Sequence, residues 1–91
     1  MRIRWTGLGT ALVTPFTPSG DLDEAAIRWL GRRQIDGGVH FLVPCGTTGE
    51  NPTLSLAERI RMVEILVDEA KGQVPLLAGA GGYNTKEVIH L

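Results

Sequence analysis

Two adjacent threonines lie between two glycines in the run Gly46-Thr47-Thr48-Gly49, directly after an apolar segment at 41–43. Hydroxyl groups and outward-facing backbone N–H groups in such a turn can hold a small anion, such as a carboxylate. The glycines predict backbone shapes that a β-carbon would forbid, or the close approach of a ligand. The alternative is a hydroxyl-rich tight turn that caps the next helix. The spacing alone leaves both interpretations open.

Three short apolar runs predict strands at residues 9–14, 41–43 and 75–79. They are continuous rather than alternating, which is typical of strands buried on both faces of a parallel sheet. Between the first two runs, a helix is predicted from Asp21 or Asp23 to the glycines at 37–38. Its inner face is predicted to be Ile27, Leu30 and Ile35.

The second helix has the clearest signals. Ser55 and Glu58 have the spacing of a capping box, in which each side chain satisfies a backbone N–H at the helix start. Gly72 is predicted to end the helix. The predicted apolar stripe, at intervals of three or four, comprises Leu56, Ile60, Val63, Val67 and Ala70. A third helix is predicted to follow a cap at Asn84, with Glu87 at the capping-box distance.

The predicted order is therefore β-α-β-α-β-(α), an α/β pattern in which helices connect parallel strands. It occurs both in doubly wound sheets and in eight-stranded barrels. A complete barrel needs roughly 250 residues. The 91 residues of this chain would be about a third of that length.

The composition limits the kind of function. The net charge is −1 and no basic face is evident, so we expect no nucleic-acid partner. No apolar run approaches the roughly 18 residues that span a bilayer, and the N-terminus does not resemble a signal peptide, so no membrane association is expected. The single cysteine cannot form an internal disulfide. These features predict a cytoplasmic protein.

Three ordered blocks carry a more specific signal. They are Thr-Ala-Leu-Val-Thr-Pro-Phe at 10–16, Gly-Thr-Thr-Gly-Glu at 46–50, and Ala-Gly-Ala-Gly at 78–81 followed by Asn84-Thr85. Together they resemble the start of the dihydrodipicolinate synthase/N-acetylneuraminate lyase family of pyruvate-dependent class I aldolases. The resemblance implies that residues 1–91 are the N-terminal part of a TIM (β/α)8 barrel. They would hold its first three strands and two to three helices.

The double-threonine form is most similar to the branch that condenses pyruvate with aspartate semialdehyde in lysine and diaminopimelate biosynthesis. The resemblance implies that Thr48 binds the pyruvate carboxylate and that Thr47 belongs to a hydroxyl relay. A threonine hydroxyl can donate and accept at once, as a relay requires. Gly46 and Gly49 would line the substrate site. No cofactor and no metal are implied.

The family's catalytic lysine forms a Schiff base with the keto carbon of pyruvate. Lys71 and Lys86 are the lysines of this chain, and neither is predicted at a strand end beside the threonines. In the family, that lysine comes from the sixth strand. The resemblance therefore implies that the 91-residue chain alone is inactive and that the full-length protein is a homotetramer.

Two further functions remain open. One is a fragment of a 2-keto-3-deoxy sugar acid aldolase or of an enzyme like N-acetylneuraminate lyase. The other is a non-catalytic truncated product or binding module. Among the remaining residues, Cys45 is predicted to be a buried apolar side chain rather than a nucleophile, because neither histidine is placed to activate it. Tyr83 and Leu56 replace an asparagine and a histidine of lysine-inhibited members, which predicts an absence of lysine feedback.

Overall fold

The computed structural model describes residues 5–81 and 85–90, which contain two parallel strands and three helices. Along the chain the elements are β1 (Gly9–Ala11), α1 (Glu24–Asp36), β2 (Phe41–Val43), a short 3-10 turn (Asn51–Thr53), α2 (Leu56–Ala70) and α3 (Thr85–His90). In the register of the sheet, Gly9 pairs with Phe41 and Ala11 with Val43. The predicted β-α-β-α order is confirmed.

The third apolar run lies beside β2 and is parallel to it. The Leu42 N–H donates to the Pro75 carbonyl at 3.1 Å, and the Leu77 N–H donates to the Leu42 carbonyl at 2.9 Å. One bridge, between Leu42 and Leu76, joins the two segments. Residues 75–79 therefore occupy the predicted third position, although as an extended segment rather than a regular strand. The first strand is shorter than predicted, since its ladder ends at Ala11.

Helix α1 begins at one of the two predicted caps. The Asp23 carboxylate accepts the backbone N–H of Ala26 at 3.0 Å. On the inner face Ile27 is fully buried. A β-carbon at Gly31 would lie 2.8 Å from the Leu66 side chain, so the absence of a side chain lets α1 and α2 approach closely. The predicted inner residues Leu30 and Ile35 are partly buried against the core.

Helix α2 begins with the predicted capping box. The Glu58 N–H donates to the Ser55 hydroxyl at 3.1 Å, and the Glu58 carboxylate accepts the Ser55 N–H at 2.9 Å. The helix ends one residue before the predicted glycine, because Lys71 itself adopts the left-handed conformation with φ of 47°. The Asn84 cap predicted for α3 lies outside the described residues, as does Tyr83.

The predicted inner stripe of α2 is largely wrong. Its members Leu56, Ile60 and Val67 are 52%, 52% and 55% exposed. The residues that face the core are Met62, Ile65 and Leu66, together with Ala70, the one predicted member that is buried. Alanine and aliphatic residues cover more than half of this helix, so two apolar stripes have the same helical spacing. The pattern predicted a stripe correctly but selected the neighbouring one.

Three arginines link α1 to α2 on the outer surface. Arg28 lies 2.6 Å from the Asp68 carboxylate, Arg61 lies 2.8 Å from Glu24, and Arg32 also reaches α2. Hydrogen bonding from its arginine partner lowers the pKa of Glu24, and the same cause lowers the pKa of Asp68. These groups are exposed to solvent, which screens such pairs. They orient the two helices, while the buried side chains supply most of the stabilisation.

The core lies between the strands and the two long helices. Its buried apolar members are Leu12, Ile27, Leu42, Cys45, Leu54, Met62, Ile65 and Leu66. Within residues 5–81 and 85–90, no helix has both the length and the apolar character needed to cross a membrane.

A pair of isoleucines on α2 tests which stripe faces the core. Ile65 is 0% exposed and Ile60 is 52% exposed. We expect Ile65→Ala to lower the free energy of unfolding by about 2–5 kcal/mol, because it leaves a cavity. The matched change Ile60→Ala should lower the free energy of unfolding by less than about 1 kcal/mol. Urea unfolding of the two variants measures this difference. Equal losses would contradict the assignment of the inner face.

Candidate functional site

The segment after β2 is a tight turn closed by its own backbone. The Gly46 carbonyl accepts the N–H of Gly49 at 3.1 Å and that of Asn51 at 3.4 Å. Two residues at the ends of the turn, Cys45 and Glu50, have φ of 59° and 58°. These left-handed residues bend the chain sharply at both ends. Thr47 and Thr48 therefore lie in a loop that projects from the carboxyl end of β2.

Both threonines are exposed. Within the described part of the chain, neither their hydroxyls nor their backbone N–H groups take part in a hydrogen bond. The following helix is capped by Ser55, so these hydroxyls do not serve as its cap. Thr47 and Thr48 thus present four uncommitted donors in two consecutive residues. Such a set can bind a carboxylate through charge-assisted hydrogen bonds.

The first strand segment holds this turn from one side. Thr14 is 5% exposed, and its hydroxyl donates to the Gly49 carbonyl at 2.6 Å. The same hydroxyl lies 3.6 Å from the Met62 sulfur. Sequence reasoning assigned Thr14 no role. The sequence feature that could have pointed to Thr14 is its position directly before Pro15, at the end of the apolar run 9–14.

The two flanking glycines do not adopt the left-handed backbone shapes that glycine allows. Neither Gly46 nor Gly49 is among the residues with positive φ. A β-carbon at Gly49 would lie 3.0 Å from the Leu12 carbonyl and 3.1 Å from the Thr14 hydroxyl. One at Gly46 would meet only Val43, at 3.9 Å. Gly49 is therefore needed for close packing against the first strand segment, and Gly46 is not sterically constrained.

The loop after the third segment holds the turn from the other side. The Asn51 side-chain amide donates to the Gly81 carbonyl at 3.3 Å, and Asn51 is 8% exposed. Arg59 on α2 donates to that same carbonyl at 3.2 Å and to the Asn51 carbonyl at 2.8 Å. Sequence reasoning missed both side chains. No local pattern marks them, because the Gly81 carbonyl that both side chains bind is 30 and 22 residues away.

The structure places Cys45 as predicted, in the interior. It is 1% exposed, and its sulfur lies 3.9 Å from the Arg59 carbonyl. Burial raises the pKa of the Cys45 thiol. A β-carbon at Gly79 would overlap the Cys45 carbonyl, so the third segment passes closely here. A neutral thiol in this position is a packing group rather than a nucleophile.

The other ionisable candidates lie away from the threonines. His40 precedes β2 at the opposite end of the sheet, where its Nδ1 accepts the Leu8 N–H at 2.8 Å. Lys71 ends α2 and precedes the third segment, so it too lies at the amino end of the strands. Lys86 lies in the first turn of α3 and is exposed. Among the described residues, no three His, Cys, Asp or Glu side chains are grouped closely enough to hold a metal.

A groove of about 640 Å³ runs along the exposed stripe of α2. It borders the turn at Cys45 and Arg59 but is not lined by Thr47 or Thr48, and its walls are mainly apolar. The lining includes Cys45, Leu56, Ile60, Val63, Val67, Ala78 and Ala80.

The family model described as the dihydrodipicolinate synthetase family matches residues 4–91. A 4-hydroxy-tetrahydrodipicolinate synthase of Bradyrhizobium diazoefficiens is 54% identical over 90 residues, which are 99% of this chain and 30% of that protein. This chain thus spans about a third of the length of such relatives.

Solved structures of this kind have the same fold. A dihydrodipicolinate synthase of Bacillus anthracis superposes with a TM-score of 0.89 at 37% identity, over 98% of this chain and 30% of that one. An N-acetylneuraminate lyase of Mycoplasma synoviae gives a TM-score of 0.83 at 29% identity, over 92% of this chain and 29% of that one. The predictions of the family and of an N-terminal part of a TIM barrel are confirmed.

The bond from Thr14 to the turn can be tested with an isosteric change. Thr14→Val removes the donor and leaves the Gly49 carbonyl unpaired near the core, so we expect a loss of about 1–3 kcal/mol in the free energy of unfolding. The control is Thr53→Val, since the Thr53 hydroxyl donates to the Glu50 carbonyl at an exposed site. Denaturant titration compares the two variants, and a smaller loss for Thr14→Val would contradict the assignment.

The buried thiol yields a prediction about pH. Because burial raises the pKa of Cys45, its thiolate fraction at pH 8 should be lower than that of an ordinary cysteine. We expect iodoacetamide to modify the folded chain more slowly than glutathione at pH 8, and at a similar rate once the chain is unfolded in urea. Mass spectrometry follows the alkylation. Fast modification of the folded chain would contradict this placement.

Proposed function

The chain belongs to the dihydrodipicolinate synthetase family, and from this membership we propose that it supplies the carboxylate-binding turn of a pyruvate-dependent aldolase. In this proposal, residues 1–91 are an incomplete (β/α)8-barrel domain. The complete enzyme condenses pyruvate with aspartate semialdehyde in lysine and diaminopimelate biosynthesis. The observation that carries the proposal is the pair Thr47-Thr48, with free donors, at the carboxyl ends of parallel strands.

The position of the turn supports a substrate site. In α/β barrels the active site forms at the carboxyl ends of the strands, from the loops that follow them. The turn projects from that end of β2, and both neighbouring segments hold it. A rigid set of donors loses little freedom when it binds an anion, so the affinity for a small keto acid is improved. A flexible loop would not offer this advantage.

We assign each threonine a separate part in the chemistry. The Thr48 hydroxyl and N–H hold the carboxylate of pyruvate, which fixes the keto carbon at one distance from the turn. The Thr47 hydroxyl receives and returns a proton in a relay with tyrosines of the complete barrel. Its β-branched side chain has few rotamers, so the hydroxyl stays aligned. Gly46 and Gly49 form the floor of this site.

The nucleophile in this proposal lies outside residues 1–91. A Schiff-base lysine must lose its proton, which requires desolvation or a neighbouring cation. Lys71 lies at the amino end of the strands, away from the turn, and Lys86 is an exposed residue at the start of α3. The amine of a lysine on a later strand attacks the keto carbon and expels water. The 91-residue chain alone is accordingly inactive, and the full-length enzyme is a cytoplasmic homotetramer.

An aldolase for 2-keto-3-deoxy sugar acids, or a lyase for N-acetylneuraminate, is the second candidate. The structural likeness to the Mycoplasma synoviae lyase favours it. The 54% identity to the synthase of Bradyrhizobium diazoefficiens favours the first candidate. A non-catalytic module is the third candidate, and the exposed apolar groove along α2 is the observation in its favour.

Borohydride trapping tests the proposal directly. In the complete protein that carries residues 1–91, pyruvate and borohydride should add a reduced pyruvate adduct to one lysine beyond residue 91. The isolated 91-residue chain should gain none. Peptide mass spectrometry locates the adduct. An adduct on Lys71 or Lys86, or none in the complete protein, would contradict the proposed function.

Thr48→Val tests the carboxylate contact. Loss of a charge-assisted hydrogen bond should raise the KM for pyruvate roughly ten- to a hundredfold in the complete enzyme. The KM for the aldehyde should change little, because the aldehyde does not contact this residue in the proposal. Thr53→Val, in the same loop but outside the turn, is the control. An unchanged KM for pyruvate in Thr48→Val would rule out its assigned role.

A further inference from the structure

We propose that Arg59 is a positioning residue for the substrate site, a role that rests on the proposed function of the Thr47-Thr48 turn. Its guanidinium joins the turn after β2 to the loop after the third segment. One nitrogen donates to the Asn51 carbonyl at 2.8 Å, and the other donates to the Gly81 carbonyl at 3.2 Å. Arg59 itself lies in the first turn of α2.

The link from Arg59 to the threonines is short and passes through Asn51. The Asn51 N–H donates to the Gly46 carbonyl at 3.4 Å, which closes the turn around Thr47 and Thr48. The Asn51 amide donates to the Gly81 carbonyl, the same acceptor that Arg59 uses. Two N–H groups of Arg59 and one of the Asn51 amide therefore share the carbonyl oxygens of Asn51 and Gly81. A shift of Arg59 would remove the bond that joins the Asn51 carbonyl to α2, and so would loosen one end of the turn.

The shape of the guanidinium explains why an arginine suits this position. Two of its nitrogens point in fixed directions, so a single side chain can hold two carbonyls of different loops. An ammonium group on a lysine is a compact charge without that fork. Arg59 is only half-buried, and it contacts carbonyl groups rather than a carboxylate. Its contribution is therefore directional, and charge alone does not replace it.

The opposite side of the turn shows what Arg59 adds. There, Thr14 holds the Gly49 carbonyl with a single buried hydroxyl. Without the Arg59 link, the turn would still be fixed at Gly49, but the Asn51 carbonyl would lose the bond that joins it to α2. Thr47 and Thr48 lie between these two points. Both links are thus needed to set the direction of their donors.

Steady-state kinetics of the complete enzyme test the role. Arg59→Lys and Arg59→Met should each raise the KM for pyruvate about tenfold or more, since small misplacements of binding groups are costly. The value of kcat should also fall, because the same link orients the Thr47 hydroxyl of the relay, while the KM for the aldehyde stays within about twofold. Arg61→Met is the matched control, because Arg61 lies on the same helix and pairs with Glu24 instead. If both Arg59 variants had the same KM for pyruvate as the unsubstituted enzyme, the proposal would be overturned.

Hydrogen exchange of the 91-residue chain separates this proposal from the proposed function. In Arg59→Lys, the amides of Gly49 and Asn51 should exchange faster, while the amide of Ile65 in α2 keeps its protection. An equal loss at Ile65 would show that Arg59 merely supports the fold, which would overturn the positioning role. A failure of borohydride trapping in the complete protein counts against the proposed function alone. The exchange data still report whether Arg59 holds the turn.

Discussion

The parallel direction of the strands is the constraint on which the site depends. Parallel neighbours require a crossover, and α1 and α2 provide the two connections. As a result, the carboxyl ends of β1, β2 and the segment at 75–79 meet at one edge of the sheet. The loops that follow these three carboxyl ends therefore contact one another. The contacts Thr14 to Gly49 and Asn51 to Gly81 both lie at that edge.

Close packing of backbone, rather than unusual glycine geometry, shapes this edge. A β-carbon at Gly79 would overlap the Cys45 carbonyl, and one at Gly49 would lie in tight contact with the Leu12 carbonyl. The left-handed positions of the turn are instead taken by Cys45 and Glu50. Their strain is of the kind that persists only when surrounding contacts hold the backbone in place. The hydrogen bonds from Thr14 to the Gly49 carbonyl and from Arg59 to the Asn51 carbonyl are contacts of this kind.

Local signals in the sequence located the elements, but not the contacts between them. The capping box of Ser55 and Glu58, the cap at Asp23 and the strand at 41–43 were all predictable, because each depends on neighbours within a few residues. The inner face of α2 was not, since two apolar stripes compete and only the tertiary structure selects Met62 and Ile65. Thr14 and Arg59 escaped prediction for a similar reason. Their partners are 35 and 22 residues away.

The Thr47-Thr48 turn by itself can distinguish few substrates. In the proposed function the hydroxyl and N–H of Thr48 hold a carboxylate, and every 2-keto acid carries one. In the proposed reaction, discrimination between aldehyde partners must therefore come from residues on later strands, where the second substrate makes its contacts. The likeness of the chain both to a synthase and to an N-acetylneuraminate lyase is consistent with this proposed division. In the proposed function, the shared first third binds what the substrates have in common, and the remainder of each barrel distinguishes them.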